Sequence, residues 1–297
     1  MTKGRQVLVL GYGEMGHAME FLLAARHALQ FWDIRPMDTH PPVPLEAAVA
    51  SAEMVLYCVP VTPLAELAAR VFPHLSAGSI SLSIAKGLDE SGRPAPQILS
   101  DVYATERNYG VLYGPMISEE IRAGRPAYAQ LAVSAPDCME RVQHLFAGTT
   151  LMLEPSDDMH GMGWSSVLKN VYAMLIGVAD GLQLGDNVRG YLVVAALREM
   201  QAIVAARGGQ ASTAQQLAGL GDLVTTATST GSHHHELGQQ LARGATSLAG
   251  EGVHSLRMMQ KFRLLDGIDC PLLRLTTRLL EQPSQARALL HAALPGA

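Results

Sequence analysis

A glycine-rich turn near the N-terminus constrains this chain more than any other feature of its sequence. The segment VLVLGYGEMGHAMEFLL places Gly11, Gly13 and Gly16 between an apolar run typical of a buried strand and the start of an amphipathic helix. In this context the first glycine permits a tight turn, the second lets a diphosphate approach backbone N–H groups, and the third lets the helix pack on the strand. The pattern predicts a dinucleotide site, with a purely structural turn as the alternative.

The residues around this turn indicate which dinucleotide is expected. Glu14 and Met15 open the helix and belong to the same cofactor-binding segment. Asp33 ends the next β-type run, where it can accept hydrogen bonds from an adenosine ribose and oppose a 2′-phosphate. Arg35 weakens that preference, so NAD is the predicted cofactor and NADP the alternative. A solvated strand end is the alternative interpretation of Asp33.

Hydrophobic patterning predicts two domains of different class. Between Gln6 and Glu154 there are β-type runs at QVLVL, LQFW, MVLYCV, ISLSIA, GVLYG, AQLAVS and TTLMLE, several of them separated by helical patterns. Continuous apolar runs are typical of strands covered on both faces, which favours a Rossmann-type α/β domain with a mostly parallel sheet. Beyond EPSDDMHG the patterns are helical, including STAQQLAGL and HHELGQQLARG, with a threonine-rich loop between those two. We expect a dinucleotide-binding domain over 1–157 and an all-α substrate and catalytic domain over 158–297.

Composition excludes several classes of partner. A formal net charge of -5 provides no overall positive field for nucleic acid or an anionic membrane surface. Charges and prolines interrupt every apolar segment before the roughly 18 residues that a membrane span requires. The three cysteines, Cys58, Cys138 and Cys270, are few and odd in number, which argues against a disulfide framework and favours a reducing, cytoplasmic location.

A lysine inside an apolar helix is the second notable feature. Lys169 lies in SSVLKNVYAMLIGVADGL, where an ammonium group is costly unless its head reaches solvent or takes part in chemistry. Asn170 beside it and the distant Asp222 are polar partners for a buried ammonium. A surface lysine whose stem covers apolar neighbours is the alternative.

Six segments now occur in the order and at about the spacing of a known family. They are GYGEMG, AKGLDESG, YGPMISEEIRAGRPA, LKNVYAMLIGVADGLQLGDN, GLGDLVTTATS and GEGV. The chain resembles the NAD(P)-dependent glycerol-3-phosphate dehydrogenase family over nearly its whole length. The resemblance implies hydride transfer that interconverts sn-glycerol 3-phosphate, a phosphorylated triol, and dihydroxyacetone phosphate, with a role in phospholipid biosynthesis. It also implies a homodimer and an active site in the cleft between the domains.

The resemblance further implies roles for individual residues. Lys169 is the general acid and base at the substrate oxygen, and Lys86 is a second cation that favours the neutral amine and polarises the carbonyl. Asp222 orients Lys169, while Asn170 and Thr226 hydrogen-bond the substrate. Glu251, in GEGV, is assigned to cofactor binding, with a helix-start carboxylate as the alternative. A plain loop lysine is the alternative for Lys86.

Three consecutive histidines mark the main departure from the family pattern. Relatives carry an Arg-Asn-Arg type sequence that clamps the substrate phosphate, and His233 and His234 stand at its first two positions. Histidine offers one donor and is mostly neutral at pH 7, so we expect weaker or pH-dependent phosphate binding. Ser232 as a helix N-cap preserves an anion site, and an exposed helix start without a ligand is the alternative.

The histidines leave three further alternatives. Adjacent helix residues diverge by about 100°, so a metal site is not expected. If His233 cannot hold phosphate, the substrate is another small hydroxy or keto compound. A dinucleotide-binding protein without catalysis is the third alternative, although the polar residues that burial would make costly argue against it.

Overall fold

The computed structural model describes residues 4–229 and 231–295, which divide into two compact units. The first unit holds the described residues up to Lys86 together with Arg93–Met159. The second holds Gly87–Gly92 and the described residues from His160 onwards. The division near Met159 lies close to the predicted boundary after residue 157, whereas the assignment of Gly87–Gly92 to the second unit was not predicted.

A seven-stranded sheet organises the first unit, in the strand order β2-β1-β3-β4-β5-β6-β7. All neighbouring strands are parallel except β5 and β6, which are antiparallel. The sheet therefore agrees with the predicted α/β class. The strands are β1 Gln6–Leu10, β2 Ala28–Trp32, β3 Met54–Tyr57, β4 Ile80–Ser83, β5 Asn108–Tyr113, β6 Ala127–Val133 and β7 Leu151–Pro155.

Helices cover both faces of this sheet, which explains why its strands are apolar without alternation. On β1, Val7 and Val9 pack into one core cluster, while Leu8 and Leu10 pack into the other. Successive side chains of a strand point to opposite faces, so both sets are buried. The helices are α1 Glu14–Leu23, α2 Leu45–Ser51, α3 Leu64–Val71, α4 Ala95–Tyr103, α5 Ser118–Arg122 and α6 Asp137–Phe146, with a 3-10 turn at Phe72–His74.

The second unit is helical, as the sequence predicts, and its longest helix lies at the centre. Every residue from Gly161 to Ala179 of this 23-residue helix is buried. No helix of the described residues combines the length and apolarity needed to cross a membrane. The helices are α7 Met159–Gly181, α8 Asp186–Ala206, α9 Asp222–Thr228, α10 His233–Ala242, α11 Glu251–Lys261, α12 Pro271–Glu281 and α13 Ala286–Ala293.

The segment between α8 and α10 differs from its prediction. The STAQQLAGL pattern forms a 3-10 turn at Ala211–Gln215 and a π turn at Leu217–Gly221, and the threonine-rich segment is helix α9 rather than a loop. Thr225 and Thr228 donate their hydroxyls to the carbonyls four residues earlier, at 3.0 and 2.8 Å. The prediction was wrong because this bonding satisfies threonine hydroxyls within a helix.

Helices α7 and α10 approach closely through glycine. A Cβ atom added to Gly177 would collide with the carbonyl oxygen of His235, and one added to Gly238 would collide with that of Met174. Because neither glycine has a Cβ atom, the backbones of α7 and α10 can approach each other closely. This contact places the histidine segment against α7, the helix that contains Lys169.

The segment Gly87–Gly92 is an integral part of the second unit. The side chain of Leu88 is fully buried in the helical core, and its backbone N–H donates to Ser255 Oγ at 3.1 Å. Glu90 Oε1 lies 3.8 Å from His254 Nε2 on the same helix, α11. Both contacts tie the segment to α11.

Candidate active site

In the first unit, the glycine-rich turn has the geometry that a dinucleotide requires. Gly11 has a φ of 95°, and a Cβ there would lie 2.6 Å from the Cys58 carbonyl oxygen. A Cβ on Gly16 would collide with the Gly11 carbonyl oxygen, whereas one on Gly13 meets nothing within 4 Å. Gly11 and Gly16 are thus required by the fold, and Gly13 leaves open space before the first turn of α1.

The carboxylate of Asp33 accepts hydrogen bonds from the backbone at this turn. Its Oδ2 accepts a hydrogen bond from the Tyr12 amide at 2.8 Å, and its Oδ1 accepts one from the Arg35 amide at 2.9 Å. Burial raises the pKa of the Asp33 carboxyl, but the amides of Arg35 and Tyr12 together with the Arg35 guanidinium outweigh it, so the pKa lies below its ordinary value. Asp33 is therefore not a merely solvated strand end.

A cavity of about 510 Å³ opens beside the turn and the end of β2, within the range of small-molecule and cofactor sites. Apolar side chains line much of it, with the charged groups Asp33, Arg35, Glu66 and Arg70. Burial raises the pKa of the Cys58 thiol, which also lines the cavity, to about 12, so this cysteine stays neutral. An apolar slot beside a helix start fits the adenosine half of a dinucleotide.

The remaining predicted residues of this unit lie at helix and strand ends. Glu14 is the first residue of α1, and its Oε2 lies 3.4 Å from Arg122 Nη1. Met15 packs against the core at the same end of α1. Lys86 is half-buried and is the last residue of the first unit before the chain enters the second. The Tyr113 hydroxyl donates to the carbonyl beside it, on Ala85, at 2.8 Å.

In the second unit, Lys169 is the centre of a buried polar cluster. Its Nζ donates to Thr226 Oγ1 at 2.8 Å and lies 3.2 Å from Asp222 Oδ1. The Thr226 hydroxyl donates in turn to Asp222 Oδ1 at 3.3 Å. The side chains of Lys169 and Asp222 are only 6% and 5% exposed, so Lys169 is not a surface lysine.

The spacing of these groups follows from two helices. Asp222 and Thr226 are four residues apart on α9 and share one face, which meets Lys169 in the middle of α7. A buried ammonium paired with a carboxylate and a hydroxyl can hold or release a proton without exposing an unpaired charge. This arrangement provides a proton donor and acceptor in a site shielded from water.

Asn170 and Glu251 lie next to this cluster. Asn170 Nδ2 donates to Glu251 Oε2 at 3.5 Å, whereas the buried Asn170 Oδ1 has no hydrogen-bond partner among the residues that the structure describes. A Cβ on Gly252 would lie 3.1 Å from the Asn170 carbonyl oxygen, so glycine permits this close approach of α11. A buried amide oxygen without a partner is suited to a hydroxyl group of a ligand.

The three histidines point to different neighbours. Ser232 caps α10 by accepting a hydrogen bond from the His235 amide, as predicted. The rings of His233 and His234 lie 6.0 Å apart, beside Gly250 and Gly252. His235 Nε2 instead contacts Asp180 Oδ2 at 2.7 Å. Within residues 4–229 and 231–295 there is no group of three or more His, Cys, Asp or Glu side chains that could hold a metal ion.

Sequence reasoning missed the carboxylate that His235 contacts. Asp180 also accepts two forked hydrogen bonds from Arg189, at 2.9 and 3.1 Å. Arg189 reaches Asp186 as well, at 2.6 Å. The one signal in the sequence is the density of charge in ADGLQLGDNVR, which does not reveal the partner on α10.

Comparison with known proteins identifies the family. The profile described as NAD-dependent glycerol-3-phosphate dehydrogenase N-terminus matches residues 36–139, and that of the C-terminus matches residues 158–291. A glycerol-3-phosphate dehydrogenase [NAD(P)+] of Acaryochloris marina is 32% identical over 93% of this chain and 90% of its own length. The chain belongs to the NAD-dependent glycerol-3-phosphate dehydrogenase family.

Other relatives agree with this assignment. The glycerol-3-phosphate dehydrogenase [NAD(P)+] of a Synechocystis species is 31% identical over 97% of this chain and 94% of its own length. The crystal structure of the glycerol-3-phosphate dehydrogenase of Coxiella burnetii superposes with a TM-score of 0.87 at 25% identity, covering 97% of this chain and 99% of that one. The family resemblance and the two predicted fold classes are confirmed, and the alternative functions are not favoured.

Proposed function

We propose that this protein is an NAD(P)-dependent sn-glycerol-3-phosphate dehydrogenase that interconverts glycerol 3-phosphate and dihydroxyacetone phosphate. The observation that carries the proposal is the buried Lys169 ammonium, bonded to both Asp222 and Thr226. Oxidation of a secondary alcohol, and reduction of the ketone, each require a group that exchanges a proton with the substrate oxygen. The nicotinamide, when bound, supplies or accepts the hydride at the adjacent carbon.

Lys169 performs the proton transfer in this proposal. During ketone reduction its Nζ donates a proton to the carbonyl oxygen as negative charge develops there, and during alcohol oxidation the neutral amine takes the hydroxyl proton. Asp222 compensates the ammonium charge and, through Thr226, fixes the direction of Nζ. Lys86 acts as the second cation that polarises the carbonyl.

Substrate binding is assigned to groups around Lys169. The unpartnered Asn170 Oδ1 accepts a hydrogen bond from a substrate hydroxyl, and Thr226 provides a second polar contact. His233 and His234, with the positive end of the helix dipole at the start of α10, bind the phosphate. A protonated imidazole adds a charge-assisted bond, so binding is expected to strengthen at lower pH.

Cofactor binding is assigned to the first unit, with one contribution from α11. Gly13 lets the diphosphate reach the amides of α1, and Asp33 lies where it can accept a ribose hydroxyl and disfavour a 2′-phosphate, which supports a preference for NAD. The residues assigned to this function are Gly11, Gly13, Glu14, Met15, Gly16, Asp33 and Glu251.

Assembly and location are also part of the proposal. We assign a cytoplasmic homodimer formed through the second unit, supported by Tyr191 and Val194, which stand on α8 with 41% and 48% of their surface exposed. Sedimentation of the purified protein tests the dimer, and a monomer at micromolar concentration would contradict it.

The test of the activity is NADH oxidation with dihydroxyacetone phosphate, run from pH 6 to 8 on the wild type and on Lys169→Met. We expect saturable turnover by the wild type and a decrease in kcat of about 10²- to 10⁴-fold in the variant, because the proton donor is lost. Lys261→Met, at an exposed lysine at the end of α11, is the matched control. A wild type that binds NADH but does not turn over this substrate would reject the proposal.

A further inference from the structure

The histidine that contacts Asp180 has no part in the chemistry described above, yet its ring is bonded to a carboxylate of another helix. His235 Nε2 lies 2.7 Å from Asp180 Oδ2, and the two side chains are only 15% and 10% exposed. A carboxylate only accepts hydrogen bonds, so Nε2 carries the proton and donates it. This bond links the first turn of α10 to the C-terminal part of α7.

Asp180 is itself fixed from a second direction. Arg189 of α8 donates to Asp180 Oδ1 through both Nε, at 3.1 Å, and Nη2, at 2.9 Å, and its Nη1 contacts Asp186. A forked guanidinium bond restricts the orientation of the carboxylate more than a single bond does. His235 thus binds to an acceptor whose position is set by two other helices.

Packing also restrains α10, but mainly beyond its first turn. In the first turn the backbone of α10 meets that of α7 at Gly177, whereas the buried side chains Leu237 and Leu241 pack into the helical core farther along the helix. The bond from His235 to Asp180 adds a directional polar contact within the first turn itself.

We infer that His235 is a positioning residue for substrate binding. Through Asp180 it fixes the rotation of the α10 start, and with it the direction of the amide groups and of His233, which lies two residues earlier on the same turn. The inference rests on the proposed function, because it takes the α10 start as the phosphate site. Loss of the bond is expected to weaken phosphate binding while Lys169 and its partners stay in place.

Two amide substitutions test this role with matched chemistry. His235→Gln places an amide N–H at about the position of Nε2 and retains the bond, whereas the shorter His235→Asn does not reach Asp180. We expect the asparagine variant to raise the KM for dihydroxyacetone phosphate about tenfold with kcat nearly unchanged, and the glutamine variant to stay close to the wild type. His291→Leu, at an exposed histidine of the same unit, is the control.

A double-mutant cycle separates positioning from general stability. If His235 acts through His233, then His233→Ala and His235→Asn affect the KM non-additively, because the second change removes the alignment of a group already absent. Equal KM values for the glutamine and asparagine variants, or a fall in kcat without a rise in KM, would overturn the inference alone. A wild type inactive on dihydroxyacetone phosphate would overturn the proposed function and the inference with it.

Discussion

Helices α1 and α10 begin in similar surroundings but with opposite kinds of residue. The start of α1 is formed by glycines, with Gly13 at the N-cap, and the start of α10 is formed by Ser232 followed by histidines. In each case a carboxylate holds the turn: Asp33 binds the Tyr12 amide, and Asp180 binds the His235 ring. Both ends present the backbone N–H groups that favour anions.

The difference lies in what sets the strength of anion binding. In the proposed cofactor site at α1, a Cβ built on Gly13 meets nothing within 4 Å, so binding is expected to depend on the approach of the backbone. In the proposed phosphate site at α10, the imidazoles of His233 and His234 flank the helix start, so binding is expected to vary with pH. We therefore expect cofactor affinity to be less sensitive to pH than phosphate affinity.

The largest effect is expected from blocking the glycine start. Gly13→Val fills the open space before α1, and we expect NADH affinity to fall about 10- to 100-fold, because several charge-assisted amide contacts are lost. The unfolding free energy should change by no more than about 1 kcal/mol. Fluorescence titration of NADH, with urea denaturation alongside, measures both quantities.

Gly16→Ala is the companion to that variant. Its Cβ would collide with the Gly11 carbonyl oxygen, so it should destabilise the first unit whether or not cofactor is present. If Gly13→Val lowered stability as much as Gly16→Ala does, the open space would not be a ligand site.

The next effect concerns the helix that carries the histidines. Gly238→Ala forces α10 away from the Met174 carbonyl on α7 and should cost about 1–3 kcal/mol of unfolding free energy, with a higher KM for dihydroxyacetone phosphate. Gly190→Ala, inside α8 with nothing within 4 Å, should instead stabilise by up to about 1 kcal/mol. Denaturant unfolding of both variants measures the two free energies. If Gly238→Ala stabilised the protein as much as Gly190→Ala, the contact between α10 and α7 would not be tight.

A smaller effect is expected from a substitution that tests whether the starts of α1 and α10 differ in pH dependence. His233→Arg places a permanent charge at the α10 start, so the KM for dihydroxyacetone phosphate should fall about tenfold at pH 8 and change little at pH 6. The NADH affinity, measured at both pH values, should stay the same in the variant. A KM that depends on pH equally in both proteins would show that His233 is not the titrating group.

The smallest effect is expected from the carboxylate behind the glycine turn. Asp33→Asn should cost about 1 kcal/mol of unfolding free energy at pH 7, because an amide N–H₂ then faces a backbone N–H. The pKa of Asp33 lies below its ordinary value, so the wild type has this advantage above about pH 4 and loses it as pH falls further. Denaturant unfolding at pH 7 and at about pH 2, below the ordinary pKa of an aspartate, measures the difference.

Asp269→Asn provides the control for that measurement. Asp269 pairs with Arg274 at 2.7 Å but is 86% exposed, so its loss should be close to neutral at both pH values. A cost at Asp33 no larger than at Asp269 would argue that the glycine turn does not depend on its carboxylate.

Much of this molecule could be predicted from local patterns. Runs such as QVLVL and MVLYCV correspond to β1 and β3 because burial on both faces of a sheet leaves a continuous apolar signature. The Lys169 cluster could be anticipated as well, since an ammonium in an apolar helix requires partners and Asp222 stands in a distinctive segment.

What could not be predicted depends on contacts between distant segments. His235 and Asp180 are 55 residues apart, and no periodicity links them. Buried Glu199 is similar: its carboxylate accepts the amides of Leu272 and Leu273 at the start of α12, each at 2.8 Å. Burial raises the pKa of Glu199, and the sequence alone shows only an acidic residue in a long helix. Such pairs are specified by packing and leave no local trace.

The short segment from Gly87 to Gly92 bears on how this chain can be divided. Because Leu88 completes the core of the helical unit, a recombinant piece that begins at His160 would be missing one of its own buried side chains. The two halves of the protein are therefore not interchangeable parts that can be exchanged between homologues at a single junction. A chimera has to carry three junctions, placed after Lys86, after Gly92 and after Met159.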